Sequence, residues 1–211
     1  MSALTDARQA VGGLSKPSKM PGYAYSIPAS KCNVGSKLKL IPGSVCFNCY
    51  ADRGRYLFSN VQNALNRRLA TISDPAWSAN MATAINGQPE FRWHDSGDIQ
   101  SIDHLHKIVE VCRATPNTSH WLPTREKRIV KQFLRGNTFP DNLCVRISAT
   151  MIDGPAPIVA SDFNRFQNTS TVHNNKPAQG YQCPAPSQGN KCQNCRACWD
   201  RNISNISYGK H

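Results

Sequence analysis

The sequence predicts an α/β protein, either a truncated (βα) partial barrel or an open parallel sheet, with a C-terminal cysteine-rich cluster-binding tail. Three observations predict it. Strand-like and helix-like segments alternate from residue 90 to about 150, the pattern of βαβ units. Polar groups recur at the ends of three successive predicted strands, at Asp95–Asp98, Thr124–Glu126 and Ser148–Thr150, where parallel α/β folds place their sites. Seven of the nine cysteines are clustered, and four of them, Cys183, Cys192, Cys195 and Cys198, fall within sixteen residues near the end of the chain.

In chain order, residues 1–22 carry Gly12-Gly13, Lys16-Pro17 and Pro21-Gly22 without a sustained period and read as a flexible basic leader. Tyr23–Ile27 is aromatic and β-branched and predicts a first strand, ended by Pro28. A loop bearing Cys32, Cys46 and Cys49 follows it. Val61, Ala64, Leu65, Leu69 and Ile72 repeat at a helical period, with Asn60 as N-cap. A second helix starts near Asp74-Pro75, carries Trp77, Met81 and Ile85, and stops before Gly87. Glu90–His94 is a strand halted by Asp95-Ser-Gly-Asp98, and Ser101 caps a helix that Pro116 stops. Ser119–Leu122 is the next strand, residues 126–134 the next helix, Leu143–Ser148 a further strand and Pro157–Ala160 a candidate strand. Domain boundaries follow as 1–22 for the leader, 23–175 for an α/β cluster-binding domain and 176–211 for a cysteine-rich iron–sulfur tail. Few aliphatics lie between Cys183 and Cys198, so that stretch is expected to be ordered by its metal rather than by apolar burial.

A chain of 211 residues buries one sizeable core with room for a small module. No run of about 18 apolar residues occurs and no apolar segment opens the chain, so neither membrane insertion nor export is expected. In a reducing cytoplasm, nine cysteines argue for soft-metal ligation rather than disulfides. Cys112 and Cys144 sit in apolar patterns and are expected to be small buried hydrophobes. A net charge of +12 suits an anionic small-molecule substrate or nucleic acid, or a solvated basic surface.

The spacing Cys183-x8-Cys192-x2-Cys195-x2-Cys198 is ferredoxin-like and points to a [4Fe–4S] cluster, although zinc accepts the same four sulfurs. Cys32, Cys46 and Cys49 supply three thiolates, one short of saturating a second [4Fe–4S] cluster. Its open iron can bind a substrate or cofactor through amine and carboxylate groups. Convergence of the strand ends around it would let Ser96 and Asp98 hold that ligand. Arg125 would pair with a carboxylate or substrate anion, and Glu126 would orient Arg125 or act as a base. A closed cluster would instead take His94 or His211 as a fourth ligand.

The strand, the three-cysteine loop and the glycine-containing turn after the second strand resemble the radical S-adenosylmethionine superfamily. Cys46-x2-Cys49-Tyr-Ala, Phe91-Arg-Trp-His-Asp-Ser-Gly-Asp-Ile99, Trp121-Leu-Pro-Thr-Arg-Glu126 and Cys192-x2-Cys-x2-Cys-Trp-Asp200, with the terminal Ser207-Tyr-Gly-Lys-His211, resemble the bacteriophage gene-product-88 family from about residue 20 to the end. The superfamily resemblance implies S-adenosylmethionine on the open iron, with Ser96, Gly97, Asp98 and Ser148 as cofactor-binding residues, and an electron donor as partner. The family resemblance implies the cytoplasm of an infected bacterial host. The superfamily's usual three-then-two spacing differs from this chain, where thirteen residues separate Cys32 from Cys46. Three functions are therefore expected in order: a radical-type cluster enzyme, then a nucleic-acid-binding or redox-sensing protein with structural clusters or zinc. The third is a hydrolase using His94, Asp95, Ser96, Asp98 and Glu126 or the open iron as a Lewis acid.

Overall fold

The computed structural model of the protein describes residues 2–158 and 168–210. Its elements are α1 (Ala3–Ala10), β1 (Tyr23–Tyr25), α2 (Asn33–Leu38), α3 (Ser59–Thr71), α4 (Trp77–Ile85), β2 (Glu90–Trp93) and α5 (Ile102–Ala114). There follow β3 (Ser119–Thr124), α6 (Lys127–Leu134), β4 (Leu143–Ile152), β5 (Thr169–His173), β6 (Tyr181–Gln182) and β7 (Asn205–Gly209). The seven strands form one parallel sheet in the order β1-β2-β3-β4-β5-β7-β6. It is open, with β1 and β6 as its edges.

Strand periodicity separates the two faces. Phe91 and Trp93 of β2, Leu122 of β3, and Leu143, Val145 and Ile147 of β4 join one apolar core with Trp77 and Met81 of α4, Leu105, Ile108 and Val109 of α5, and Val130 and Phe133 of α6. Helices therefore cover that face. Cys112 and Cys144 are buried as expected. At the core's edge, Tyr25 packs edge-on to Trp77 with ring centres 5.4 Å apart, and its hydroxyl donates to Arg68 O at 2.7 Å while accepting from Trp77 Nε1 at 3.1 Å. The Ser101 cap forms, its Oγ accepting the His104 N–H at 3.1 Å.

Residues 1–22 differ from the expected loose leader. Ser2 caps α1, Ala7 and Val11 are buried in the core, and Arg8 Nε donates to Ala84 O of α4 at 3.3 Å. Ser15 then exchanges two 2.8 Å backbone hydrogen bonds with Ala24. The periodic signal was faint because the helix buries one alanine and ends on one valine. Asn60 does not cap α3, which begins at Ser59 behind Phe58 without a side-chain cap. Of the candidate strand Pro157–Ala160, residues 157–158 are not strand, and 159–160 lie outside the described residues.

The cysteine-rich stretch is not an appended module. It runs from β6 to β7 across the sheet face opposite the helices, and β7 inserts between β5 and β6. Trp199 is buried there, its ring 5.3 Å from Trp121 and its Nε1 donating to Phe91 O at 3.0 Å. Within Cys183–Cys198 itself the buried apolar side chain added is Ala197, and Trp199 just beyond it supplies the larger anchor. A deeper anchor is Arg146, fully buried on β4. Its guanidinium donates to Cys198 O at 3.1 Å, Thr169 O at 3.3 Å, Ile203 O at 2.8 Å, Ala197 O at 3.0 Å and Asp200 O at 2.6 Å. No helix among the described residues is long and apolar enough to cross a membrane.

Two predictions arise here. Arg146→Met keeps the length of the side chain but removes all five hydrogen bonds, leaving Ala197 O, Asp200 O and Ile203 O with one other donor each and Cys198 O without this one, so it should cost about 3 kcal/mol in denaturant unfolding and expose residues 183–204 to protease before the helical layer. Unchanged cleavage of that segment would remove the role given to Arg146. The second concerns acid. Burial depresses His104 and His120 to about 3 and His94 well below its usual range, so the unfolded chain takes up three protons that the folded one refuses. Stability should fall as pH drops below about 6.5, the ordinary histidine value. Asp98, raised to about 6 by burial, opposes this by one proton between about pH 4 and 6. The net loss between pH 6.5 and 5 is on the order of 4 kcal/mol, measurable as a shifted denaturation midpoint; a flat profile over that range would count against it.

Candidate functional site

The first thiol group lies where β1 ends. Cys32 immediately precedes α2, and the Val34 N–H in that helix's first turn donates to Glu126 Oε1 at 2.9 Å. The far side of the loop hooks onto the end of β4, with Val45 N–H bonded to Thr150 O at 2.9 Å and Ile152 N–H to Gly43 O at 3.0 Å. That extension of β4 beyond Ser148 holds Cys46 in its buried position. A Cβ on Gly35 would meet Cys32 Cβ at 2.9 Å and would stand 3.6 Å from the sulfurs of both Cys32 and Cys46. Glycine is needed there, and two sulfurs flank the space it leaves. Burial, then Asp98, Cys46 and Cys49, push the Cys32 thiol to about 12. Burial raises Cys46 as well, with Arg125 pulling the other way.

The turns after β2 and β3 converge on this loop, as the parallel topology requires. Asp98 Oδ1 accepts Ile99 N–H at 2.8 Å and the Thr124 hydroxyl at 2.6 Å, and Oδ2 accepts Arg125 N–H at 2.9 Å. It is thus spent on bracing one strand end against the next. Ser96 Oγ donates to Ile27 O at 2.9 Å, and Gly97, at φ +80°, packs so closely that a Cβ would fall 2.2 Å from Ile27 Cγ1. Ser96, Gly97 and Asp98 build the turn, with their polar groups directed into it. Glu126 binds the α2 backbone instead of orienting Arg125, whose Nε donates to Ala149 O at 3.3 Å. Ser148 is a strand residue whose hydroxyl accepts from Ser170 at 3.1 Å.

His94 packs against His104 and hydrogen-bonds no thiol. At φ +57°, it is buried with its ring 5.4 Å from that of His104, and neither ring nitrogen has a hydrogen-bond partner among the described residues. Asp95 takes the Tyr56 hydroxyl at 3.1 Å. The hydrolytic set therefore contains no hydrogen-bonded nucleophile and base, the pairing such chemistry needs. His211 lies outside the described residues.

The second group surrounds the crossing segment. Cys183 N–H bonds Ser207 O at 2.9 Å, Cys192 N–H bonds Lys19 O at 2.8 Å, and Cys195 N–H closes a tight turn on Cys192 O at 2.9 Å. Two hydroxyls reach the sulfurs: Tyr181 Oη at 3.6 Å from Cys195 Sγ, and Tyr208 Oη at 3.2 Å from Cys198 Sγ. Burial raises Cys183 and Cys192, each reinforced by neighbouring thiols, and lifts Cys198 to about 12.

Arg92 lies between the two groups. Its guanidinium packs over Trp121 at 4.5 Å from the ring centre. Burial acts to lower its pKa, yet Tyr50 and Asp95 on the first side and Tyr208 and Cys198 on the second together hold it above the usual arginine value. Sequence reasoning missed Arg92, Tyr181 and Tyr208. The available signal for Arg92 was its place in the alternation between Phe91 and Trp93, which sets it on the opposite face of β2.

All nine cysteines are free thiols. Among the described residues no group of three or more His, Cys, Asp or Glu side chains is arranged to hold a single metal ion.

No curated protein and no solved structure matches the chain. The model of the family described as Gene product 88 matches residues 2–201, nearly the whole chain, and the protein belongs to that family.

Proposed function

We propose that the protein is an iron–sulfur protein with two [4Fe–4S] clusters, acting as a radical S-adenosylmethionine-like enzyme. Cys32, Cys46 and Cys49 would hold the cluster with an open iron, and Cys183, Cys192, Cys195 and Cys198 the closed one. The observation that carries the reading is the approach of the Cys32 and Cys46 sulfurs to the space left by Gly35, at the carboxyl ends of parallel strands. The donor set fits such a group: seven soft, unpaired thiols in two neighbourhoods. Zinc needs four sulfurs within about 2.3 Å of one point, whereas each iron of a cluster takes its own thiolate and the ligands stand farther apart.

A bound cluster of this kind supplies an electron to a ligand on its open iron. The chain's own residues do the positioning. Glu126 fixes the first turn of α2 and so the direction of Cys32, and Asp98 locks the β3 end through Thr124 and the Arg125 backbone. Arg125 is left as the cation beside Cys46 that can pair with a ligand carboxylate. The Tyr181 and Tyr208 hydroxyls lie within hydrogen-bond reach of sulfurs of the second group and would donate to them once these are thiolates, an outer contact that tunes a cluster.

Protein purified without oxygen should be brown and contain iron and acid-labile sulfide, with Cys195→Ala removing about half of each, since one of two clusters is lost. Stoichiometric zinc without sulfide would sink the proposal. S-adenosylmethionine added to the reduced protein should perturb the paramagnetic resonance signal of one cluster only. Cys46→Ala should abolish that perturbation and Cys195→Ala leave it; two unresponsive clusters would reject the open iron.

A further inference from the structure

Large apolar side chains are concentrated at the solvent edge of the first thiol group. Phe47, Tyr50 and Phe58 are 46%, 53% and 59% exposed, and Leu40 and Leu57 are exposed beside them. A chain that buries Trp77, Trp93, Tyr25 and Phe91 almost completely has a core for its aromatics, so three open rings within twelve residues point to a use in binding. Their surroundings are basic. Residues 29–58 contain Lys31, Lys37, Lys39, Arg53 and Arg55 against one acid, Asp52, and that acid is taken by Lys39 at 2.6 Å. Lys31, Lys37, Arg53 and Arg55 remain exposed.

These pieces are contiguous. An open cleft of about 450 Å³ is lined by Lys31, Asn33, Ser36, Lys37 and Leu40, with Cys32 in its wall. The Lys39–Asp52 pair ties the cleft side to the segment bearing Arg53 and Arg55, and the Tyr50 ring lies 5.8 Å from that of Tyr56, next to Leu57 and Phe58. The Tyr50 hydroxyl is fixed by the Asp95 carbonyl, so its ring is held in place while still open to solvent.

We infer that this rim, from the Lys31–Lys37 cleft to Phe58, binds a single-stranded nucleic acid. Phosphates lie along Lys31, Lys37, Arg53 and Arg55, and unpaired bases stack on Phe47, Tyr50 and Phe58. A duplex hides the base faces that these rings would contact, so single strands are preferred. As a statement of substrate class it rests on the cluster reading above, because the strand would pass beside Cys32; as a statement of binding it does not.

The test is fluorescence anisotropy of the full-length protein with labelled oligothymidine and oligouridine of about 15 nucleotides, near the upper site size of a single stacking platform, and with a matched duplex. Iron is quantified on the same samples. Single strands should bind more tightly than duplex, with an affinity that falls as salt rises. Phe47→Ala combined with Phe58→Ala should weaken binding about 10-fold or more without changing the salt slope, because stacking is uncharged. Arg53→Glu combined with Arg55→Glu should weaken it and flatten the slope, while Arg135→Glu, beyond α6, should leave both unchanged. Equal loss with Arg135→Glu, or no loss with the aromatic pair, would reduce the interaction to general charge and overturn the inference. So would rim variants that abolish a concentration-dependent dimer while no oligonucleotide binds. Binding in samples without iron upholds the rim and removes the cluster; iron without binding does the reverse.

Discussion

The rest of this structure depends on one buried cation with no carboxylate partner. Arg146 cannot shed its charge in a protein, and a guanidinium placed in the interior must find acceptors for all five N–H groups. It finds them in backbone carbonyls of β5, of the Ala197–Trp199 turn and of the residues that lead into β7. Those carbonyls belong largely to irregular chain, which has no ladder to satisfy it. The arginine and the loop therefore need each other. Removing either leaves unsatisfied polar groups under a tryptophan lid, and this explains how a stretch rich in Gly, Pro, Asn and Gln holds one path across a sheet. That path brings Cys198 to Tyr208 and seats Trp199 against β2 and β3.

The two thiol groups consequently share one sheet. Arg92 stands between them over Trp121, and the negative ends of groups from both sides keep it charged despite its burial. Each neighbourhood concentrates thiols whose protons are held by burial and mutual repulsion, an arrangement that a cationic metal centre relieves by replacing the protons. The parallel topology does the remaining work. β1, β2, β3 and β4 all end at the Cys32–Cys49 loop, and the overlong β4 reaches past Ser148 to grip that loop at Gly43 and Val45.

Much of this was legible in the residues. The helices at Trp77 and Ser101 and the strands from Glu90, Ser119 and Leu143 follow from period and capping, because their faces are apolar on one side alone. The strands β5 and β7 were not anticipated: Thr169–His173 and Asn205–Gly209 are short and polar, and their partners are each other, β4 and β6 rather than a large apolar surface. α1 was missed for a similar reason, since it docks through small side chains. Clustering of the cysteines was visible from spacing, but their common sheet was not, because it depends on Arg146, which in sequence is one polar residue inside an apolar run.

The carboxylates carry the sharpest difference between pattern and geometry. In sequence, Asp98 and Glu126 look like ligand-binding acids at strand ends, and a carboxylate near an open coordination site invites that role. In the fold each is consumed by backbone N–H groups, and Asp98 by a threonine hydroxyl as well. Three donors should lower an aspartate, yet burial outweighs them and lifts Asp98 to about 6. A carboxylate kept under such a penalty is retained for the geometry that its oxygens enforce, here the alignment of two strand ends and of Arg125. On the proposed reading, recognition at this site would fall to the groups that this geometry does not consume: the three thiols, the part of the Arg125 guanidinium beyond the Nε that bonds Ala149 O, and the exposed rings at the rim.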